Sequence, residues 1–529
     1  MASIILDEDR LVLPNWRTYQ ETTSLGELGF YDLKPKGGKL YTIDEYVGDW
    51  SANKNVLFAG ELISAAVSNS QTGREEVTDA AEFIIKHRDM ASSVQLELAN
   101  SVIAKAEQSD EQIHTGGILD SLLKKEDIYP KIVLMKERIG KYPYNPILYV
   151  EIARYYVMLG QKEKAKRAML TAVHLSPHNR YVTRSAARMM LDLEDKEEGI
   201  QLAHDIIVKN EMLTLDPWLL ASELSVNMQR GRYSSYIPKS RVILKSGDFD
   251  PFTLSELASA MGTYELMDGS KKRGRDLFIQ SLIKPNDNSL AQAEWAVSRR
   301  VPISIVGNNV VQVKRNYEAQ SLYKYFKDDY QEALQQAELW LLDTPFSVRA
   351  VLHGSEIAYM HLKKYDVAEQ ILNIGLQAHP KEGCLINNLA YTYALDGKLT
   401  EAEEQLSNLE KLEDVGEVTK VCCYATKGLV AYKRKNIEEG RASYLKALQI
   451  AKEHGVDGKE LRWNALLNFI REELTAFPNQ PVPDEYINIV DNIKEEPCLK
   501  YITQLKADVK ILMKNRTINL SETVEDDKK

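Results

Sequence analysis

Apolar residues recur at helical spacing from Val56 onward. Leu57, Ala59, Leu62, Ile63 and Ala66 fall on one face, and Val77, Ala80, Ala81, Phe83, Ile84 and Ile85 form a second stripe after Thr72 and Gly73. Both stripes predict helices, the second running on or kinking toward Ile103. Residues 1 to 54 carry no helical period. The Pro and Gly punctuation of "DLKPKGGKLYTIDEYVGDW" predicts turns between short extended pieces, with Trp16 and Trp50 anchoring this lead-in on the first helices. The polar run Glu107 to Gly117 predicts a loop, and a helix near Leu119 to Ile139 follows it.

From Pro146 the pattern becomes repetitive. Numbered from Pro146, a unit of paired helices places Tyr149, Ile152, Ala153, Tyr156, Gly160, Ala165, Met169, Ala172 and Pro177 at positions 4, 7, 8, 11, 15, 20, 24, 27 and 32. Ala186, Ala187, Met190, Gly199, Ala203 and Ile206 continue the frame. Pro217 and Trp218 open another pair, and Gly262, Gly274, Phe278 and Ser281 mark a divergent one. The stretch 299–313, "RRVPISIVGNNVVQV", breaks the pattern with Pro302, Gly307 and two Asn residues and predicts an irregular or short extended connection. A second block follows. Its units carry Tyr317, Tyr330, Ala333, Ala337 and Trp340; then Leu352, Tyr359, Tyr365, Ala368, Leu372 and Gly375; then Ile386, Leu389, Ala390, Tyr393, Ala402 and Leu406; then Tyr424, Gly428, Gly440, Tyr444 and Ala447. Helices from Lys459 to Phe477 and from Asp484 to Lys514 predict a cap, and "SETVEDDKK" a frayed tail. The organisation read from the chain is an N-terminal unit (1–115), a first helical block (116–298), a connection (299–313), a second block (314–450), capping helices (451–514) and a tail (515–529).

Small residues at positions 8 and 20 let paired helices approach, while larger ones at 4, 11 and 24 fill the gap to the next pair. With that spacing the chain resembles the tetratricopeptide-repeat family over roughly 146–210 and 314–450. The resemblance implies an all-α, right-handed α-α superhelix, a tetratricopeptide-like solenoid with a less regular N-terminal cap. It also implies a concave groove, lined by the first helix of each pair, that receives a peptide or helix of another protein. The family's chaperone-binding members hold a terminal carboxylate with Lys and Asn in one repeat, Asn in the next, and Lys and Arg in the third. Here those positions are His353 and Ile357, Asn388, then Cys422 and Thr426; only Asn388 agrees, so a clamp without cations is not expected to hold a carboxylate. The groove residues implied by the frame are Val150, Arg154, His353, Ile357, His361, Asn387, Asn388, Tyr391 and Leu429. This apolar and weakly polar set suits an amphipathic helix or extended peptide.

Composition narrows the function classes. In 529 residues, 44% hydrophobic and 27% charged, there is material for a long buried core, and 17 Pro and 27 Gly argue against extended disordered tracts. A formal charge of −10 argues against direct nucleic-acid contact. The basic clusters 269–275 ("GSKKRGR") and 162–167 ("KEKAKR") fall at turns and early second helices, where a solvated face is the plainer reading. Acidic residues in the first ten positions do not fit a signal peptide, and no apolar run reaches the length of a membrane span. Four cysteines fit a reducing cytoplasm and, as small apolar side chains, a buried core. No phosphate-binding, dinucleotide, zinc-protease or nucleophile-elbow motif is present, and S-x-x-K matches such as those at Ser121, Ser281, Ser321 and Ser443 read as coincidence in lysine-rich helices. No cofactor is expected. The leading expectation is therefore a non-catalytic cytoplasmic scaffold or adaptor with a protein or peptide partner, without membrane contact and with a homo-oligomer left open. An accessory or regulatory subunit controlling an associated enzyme, with an enzyme acting on nucleic acid among the candidates, is the second reading, and an activity carried by residues 1–140 the third.

Overall fold

The computed structural model describes residues 10–18, 42–68, 71–108, 125–194, 196–305, 313–413, 415–453, 459–493 and 500–526. Among them every regular element is a helix. The first, α1 (Ile43–Ala52), lies where the lead-in was expected to be extended. Thr42, three residues before Glu45, starts it: the Thr42 backbone N–H donates to the Glu45 carboxylate at 2.7 Å, so a capping box outweighs the flanking turn signals. With α2 (Val56–Ser68), α3 (Glu75–Lys86) and α4 (Ser93–Gln108), α1 closes a separate apolar cluster around Trp50, Leu62, Ile84 and Val102. Leu57 is 62% exposed and Ile85 also faces outward, so both stripes are narrower than their sequence suggests. The second stripe does not run on to Ile103. It stops at His87, whose ring stacks on Phe83 with centroids 4.1 Å apart, and restarts at Ser93. Glu107 and Gln108 still belong to α4; the remainder of the expected loop lies outside the described residues.

The first block comprises α5 (Lys125–Lys141), then α6 (Pro146–Met158), α7 (Lys162–Leu175), α8 (Arg180–Leu193), α9 (Lys196–Val208), α10 (Pro217–Gln229), α11 (Ile237–Ser246), α12 (Pro251–Asp268), α13 (Lys271–Ser281) and α14 (Asp287–Ser298). Three of these helices begin with an acceptor side chain followed by proline: Asn145–Pro146, Asp216–Pro217 and Asp250–Pro251. In each the Asn or Asp oxygen accepts a backbone N–H of the first turn, and the proline occupies a position whose own N–H needs no partner. After α14, residues 299–305 are irregular, and 306–312 lie outside the described residues.

The second block runs through α15 (Tyr317–Phe326), α16 (Tyr330–Asp343), α17 (Val348–Glu356) with a π turn over Ile357–His361, α18 (Tyr365–Ala378), α19 (Gly383–Asp396), α20 (Leu399–Glu410), α21 (Glu417–Lys433) and α22 (Ile437–Glu453). The cap is α23 (Lys459–Ala476), α24 (Asp484–Asn492) and α25 (Lys500–Asp526), so the helix expected from Asp484 is two helices. The backbone of α25 stays helical through most of the stretch expected to be a frayed tail. Within pairs the repeat leaves a backbone signature: Gly160, Gly231, Asp328, Lys363, Gly397 and Lys435, each between the two helices of a pair, all have positive φ. Close approach is equally regular. A Cβ on Gly428 would lie 2.6 Å from the Tyr444 ring, and one on Gly440 2.6 Å from the Tyr432 ring, which is why positions 8 and 20 are small in that pair.

The fold is an all-α, right-handed superhelix of tetratricopeptide-like pairs. Its two blocks touch directly. Gln377 on α18 donates to the Met158 carbonyl at 2.8 Å, and a Cβ on Gly160 would sit 2.7 Å from the Gln377 carbonyl oxygen. Phe346 and Ala378 belong to the same apolar cluster as α5 to α12. The first pair therefore packs against the end of α16 and against α18, which encloses the inner side of the array.

Candidate peptide-binding inner face

The first helices of the first block have no exposed polar face. Along α12 every residue from Thr253 to Thr263 is buried, and α8, α10 and α14 bury Arg180, Arg184, Glu223, Asn288 and Gln292. Polar groups at that depth must be paired. Arg184 makes two bonds to Glu256, at 2.8 and 3.0 Å, and Glu256 also accepts from Asn286 at 2.8 Å. Thr263 accepts from Gln292 at 2.8 Å.

Residues 10–18 lie across this face as a non-helical strap. Arg10 is its first anchor: Nε and Nη2 donate to Glu318 at 2.9 and 2.8 Å, and Nη1 and Nη2 reach the Gln292 side chain at 2.8 Å and that of Asn288 at 3.0 Å. Burial alone would raise the Glu318 carboxyl, but Arg10 and Arg349 hold it down at about 2. Arg17 is the second anchor, donating to Asp343 at 2.7 Å and to Asp287 at 2.8 Å. Between the anchors Asn288 donates to the Leu13 carbonyl at 2.8 Å and Gln292 to the Arg10 carbonyl at 2.6 Å; Tyr181 donates to the Arg17 carbonyl at 2.8 Å. Trp16 is buried against Phe346 with ring centroids 4.8 Å apart. Trp16 thus anchors on the junction of the two blocks and not on the first helices, whereas Trp50 does sit among the first helices, with its Nε1 3.1 Å from Asp79. A cavity of about 30 Å³, enough for a water, lies beside the strap between Arg17, Arg184, Trp218 and Glu256.

The second block is covered by its own cap. Lys500, at the start of α25, donates to the Tyr325 and Phe326 carbonyls at 3.0 and 2.8 Å and to Asp328 at 2.5 Å, capping the last turn of α15. Beyond it Tyr501, Ile502, Leu505 and Val509 enter the apolar cluster of the second block, and α25 packs on the π turn.

The nine residues that the sequence frame placed along a groove are distributed accordingly, and eight of them are buried. Val150 is in the core of the first block; Arg154 donates to the Asp343 carbonyl at 2.7 Å. His353 has its ring 5.4 Å from Tyr325 and 6.3 Å from Trp340. Ile357 begins the π turn. His361, partly buried, stacks on Tyr330 with centroids 4.0 Å apart. Burial drives both imidazoles down, His353 to about 3 and His361 to about 4, so both are neutral near pH 7. Asn387 accepts from Thr426 at 3.1 Å, Tyr391 donates to Asn468 on α23 at 3.4 Å, and Asn388 and Leu429 are enclosed beside them. The structure brings His353, Ile357 and His361 together, and Asn387 with Tyr391; Val150 and Arg154 stand apart from both groups. The residues that hold the strap (Tyr181, Asp287, Asn288, Gln292, Glu318, Asp343) escaped the sequence frame. The available signal was the density of polar residues in helices α12 and α14, whose polar and apolar positions are poorly segregated around the helix.

Other expectations land more simply. Arg273 in the basic cluster 269–275 is exposed and pairs with Glu265 at 3.3 Å, and Lys162 and Lys166 pair with Glu194 at 2.9 and 2.8 Å. Cys422 and Cys423 are buried and Cys384 is half-buried; Cys498 lies outside the described residues. Among the described residues no helix is long and apolar enough to cross a membrane.

The fold defines a tetratricopeptide-like helical-repeat protein whose inner side buries many polar groups, a good part of them paired with one another. No protein-family model matches the sequence, and no curated protein matches it. Among solved structures the chain is similar to yeast Tom70 at 10% identity and a TM-score of 0.32, over 89% of this chain and 99% of that one. It is also similar to the APC/C hetero-tetramer Cut9–Hcn1, at 12% identity and 0.30 over 90% and 92%. A third is the human IFIT1 dimer with m7Gppp-AAAA, at 13% and 0.27 over 91% and 94%. Likeness at these scores carries no weight for site or partner.

Proposed function

We propose that the protein is a non-catalytic protein-interaction scaffold whose inner face takes two kinds of segment: a non-helical, arginine-bearing one along the first block and an amphipathic helix along the second. The observation that carries this reading is the strap. Residues 10–18 lie against the first helices of several pairs, held by ion pairs at Arg10 and Arg17 and by side-chain bonds to their carbonyls, as a recognised peptide is held. The second block takes α25 in the same spirit, with Lys500 as anchor and an apolar row beyond it. The test is affinity purification of the full chain from its native host at near-physiological salt, followed by sizing of the recovered species. A stoichiometric protein partner, lost when inner-face charges are altered, is the expected result. A chain that stays monomeric and recovers no stoichiometric partner refutes the scaffold reading.

A further inference from the structure

We infer that the seat of residues 10–18 is an exchangeable peptide site, in which the strap is an intramolecular ligand and the partner is a protein segment bearing two cations and an intervening aromatic. This rests on the scaffold reading and adds to it the chemistry of the occupant and its control. The first argument is charge. Asp287, Glu318 and Asp343 sit at the seat with side chains 15, 15 and 4% exposed, and the strap supplies Arg10 and Arg17 without any acidic residue between them. Without the strap, Arg349 stays at 3.3 Å from Glu318, Arg315 at 3.9 Å from Asp343 and Arg154 on the Asp343 carbonyl, whereas Asp287 loses both Arg17 and Asn15. A seat of buried carboxylates is costly to leave unpaired, so it selects a cationic occupant and repels phosphate-bearing ones. The second argument is spacing. The two arginines stand seven positions apart with Trp16 beside the second, and Trp16 fills the slot against Phe346 at the junction of the blocks. An occupant must therefore present cation, apolar run, aromatic and cation in that order.

The third argument is how the strap is held. Its polar contacts are to residues roughly 160 to 330 positions away in the chain; Val12 and Trp16 also enter the apolar cluster of the first block, but the rest of that cluster, chiefly Ile128 to Met261, is supplied by the helix pairs themselves and stays with them when the strap leaves. A tethered ligand acts at an effective concentration on the order of millimolar, whereas a free segment of equal intrinsic affinity at micromolar concentration takes the seat in roughly one molecule in a thousand. The strap thus sets a threshold: fleeting cationic peptides are excluded, and a partner gains entry by extra contacts outside the seat or by high local concentration.

Fluorescein-labelled peptide of sequence RLVLPNWRT, titrated by anisotropy into the full chain and into its Arg10→Ala/Arg17→Ala variant, tests this. The variant is expected to bind the peptide in a salt-sensitive manner, with a dissociation constant of about 10 micromolar or below and so at least about 100-fold more tightly than the unaltered chain, whose tether competes at an effective concentration on the order of millimolar. Adding Glu318→Gln and Asp343→Asn should weaken that binding more than tenfold. In the unaltered chain, millimolar unlabelled peptide should accelerate hydrogen exchange of the backbone amides of residues 10–18. A variant that keeps the helical signal and melting of the parent yet does not bind the peptide overturns the inference. So does a strap whose exchange is unmoved by peptide, which keeps the question decidable if the variant misfolds. Failure here with a stoichiometric partner still recovered from the host refutes exchange alone; exchange without any partner refutes the scaffold reading instead.

Discussion

His353 converts the enclosure of the second block into a measurable pH dependence. Its imidazole is fully buried, with neither ring nitrogen hydrogen-bonded among the described residues. Burial lowers its pKa from 6.5 to about 3; Arg349 and His361 push the same way and Glu318 opposes them. An imidazole with a depressed pKa is neutral in the folded chain and takes a proton on unfolding. Below pH 6.5 the unfolded state therefore binds more protons, and stability falls as pH drops from 6.5 toward 3. At about 1.4 kcal/mol per pH unit, the loss from this one group is about 2 kcal/mol at pH 5 and about 4 kcal/mol near pH 3.5. His353→Leu removes the titration while keeping an apolar side chain between Tyr325 and Trp340. Urea unfolding followed by tryptophan fluorescence is suited to the comparison, because the Trp340 ring lies 6.3 Å from His353. Whatever offset separates the two proteins at pH 7, the variant should gain about 2 kcal/mol on the parent by pH 5. Parallel stability curves between pH 7 and pH 5 would mean that His353 protonates in place, and the enclosure of the block by α25 would then be wrong.

Three further outcomes follow from the packing. Gly428→Ala replaces a helical glycine, a change that in an open helix stabilises by about 0.5–1 kcal/mol, but its Cβ would lie 2.6 Å from the Tyr444 ring. Thermal melting should show a loss of about 1–3 kcal/mol, as should overpacking by Ala165→Trp or Ala402→Trp, and unchanged melting would undo the repeat frame. Arg184→Met leaves Glu256 buried with Asn286 as its remaining side-chain partner and should cost about 3–5 kcal/mol by chemical denaturation; a loss under about 1 kcal/mol would show the inner polar network to be wet. Lys435 is exposed at φ 67°, so Lys435→Gly should be neutral or stabilising by up to about 1 kcal/mol, while Lys435→Val should destabilise; the reverse order would argue against the left-handed turn.

How much of this was legible depended on the range of the interactions. The pairs were readable because Ala153 with Ala165, and Gly428 with Gly440, satisfy a local steric demand within some thirty-five residues, and both members are buried where two helices cross. The helix at Ile43 was also written locally, in Thr42 and Glu45, but the surrounding glycines and proline spoke louder. Of the strap only the anchoring role of Trp16 was readable, and not where it anchors. Arg10 meets Glu318 across 308 positions and Arg17 meets Asp343 across 326, and neither end carries a periodicity that points to the other. The groove residues show a subtler limit. Spacing assigns His353, Asn387 and Tyr391 to the inner row of their helices, but a polar side chain facing solvent, a partner or another part of its own chain has the same position in the period. What separates these cases is whether the row is matched. Arg184 has Glu256, which also accepts from Asn286; Asp287, Glu318 and Asp343 have two arginines from the far end of the chain. An inner row of buried carboxylates is costly to leave unpaired, and Arg10 and Arg17 of the strap supply the opposite charge. The inner rows that the repeat frame assigned to a partner's helix or extended peptide are lined in this chain by its own segments, α25 and residues 10–18.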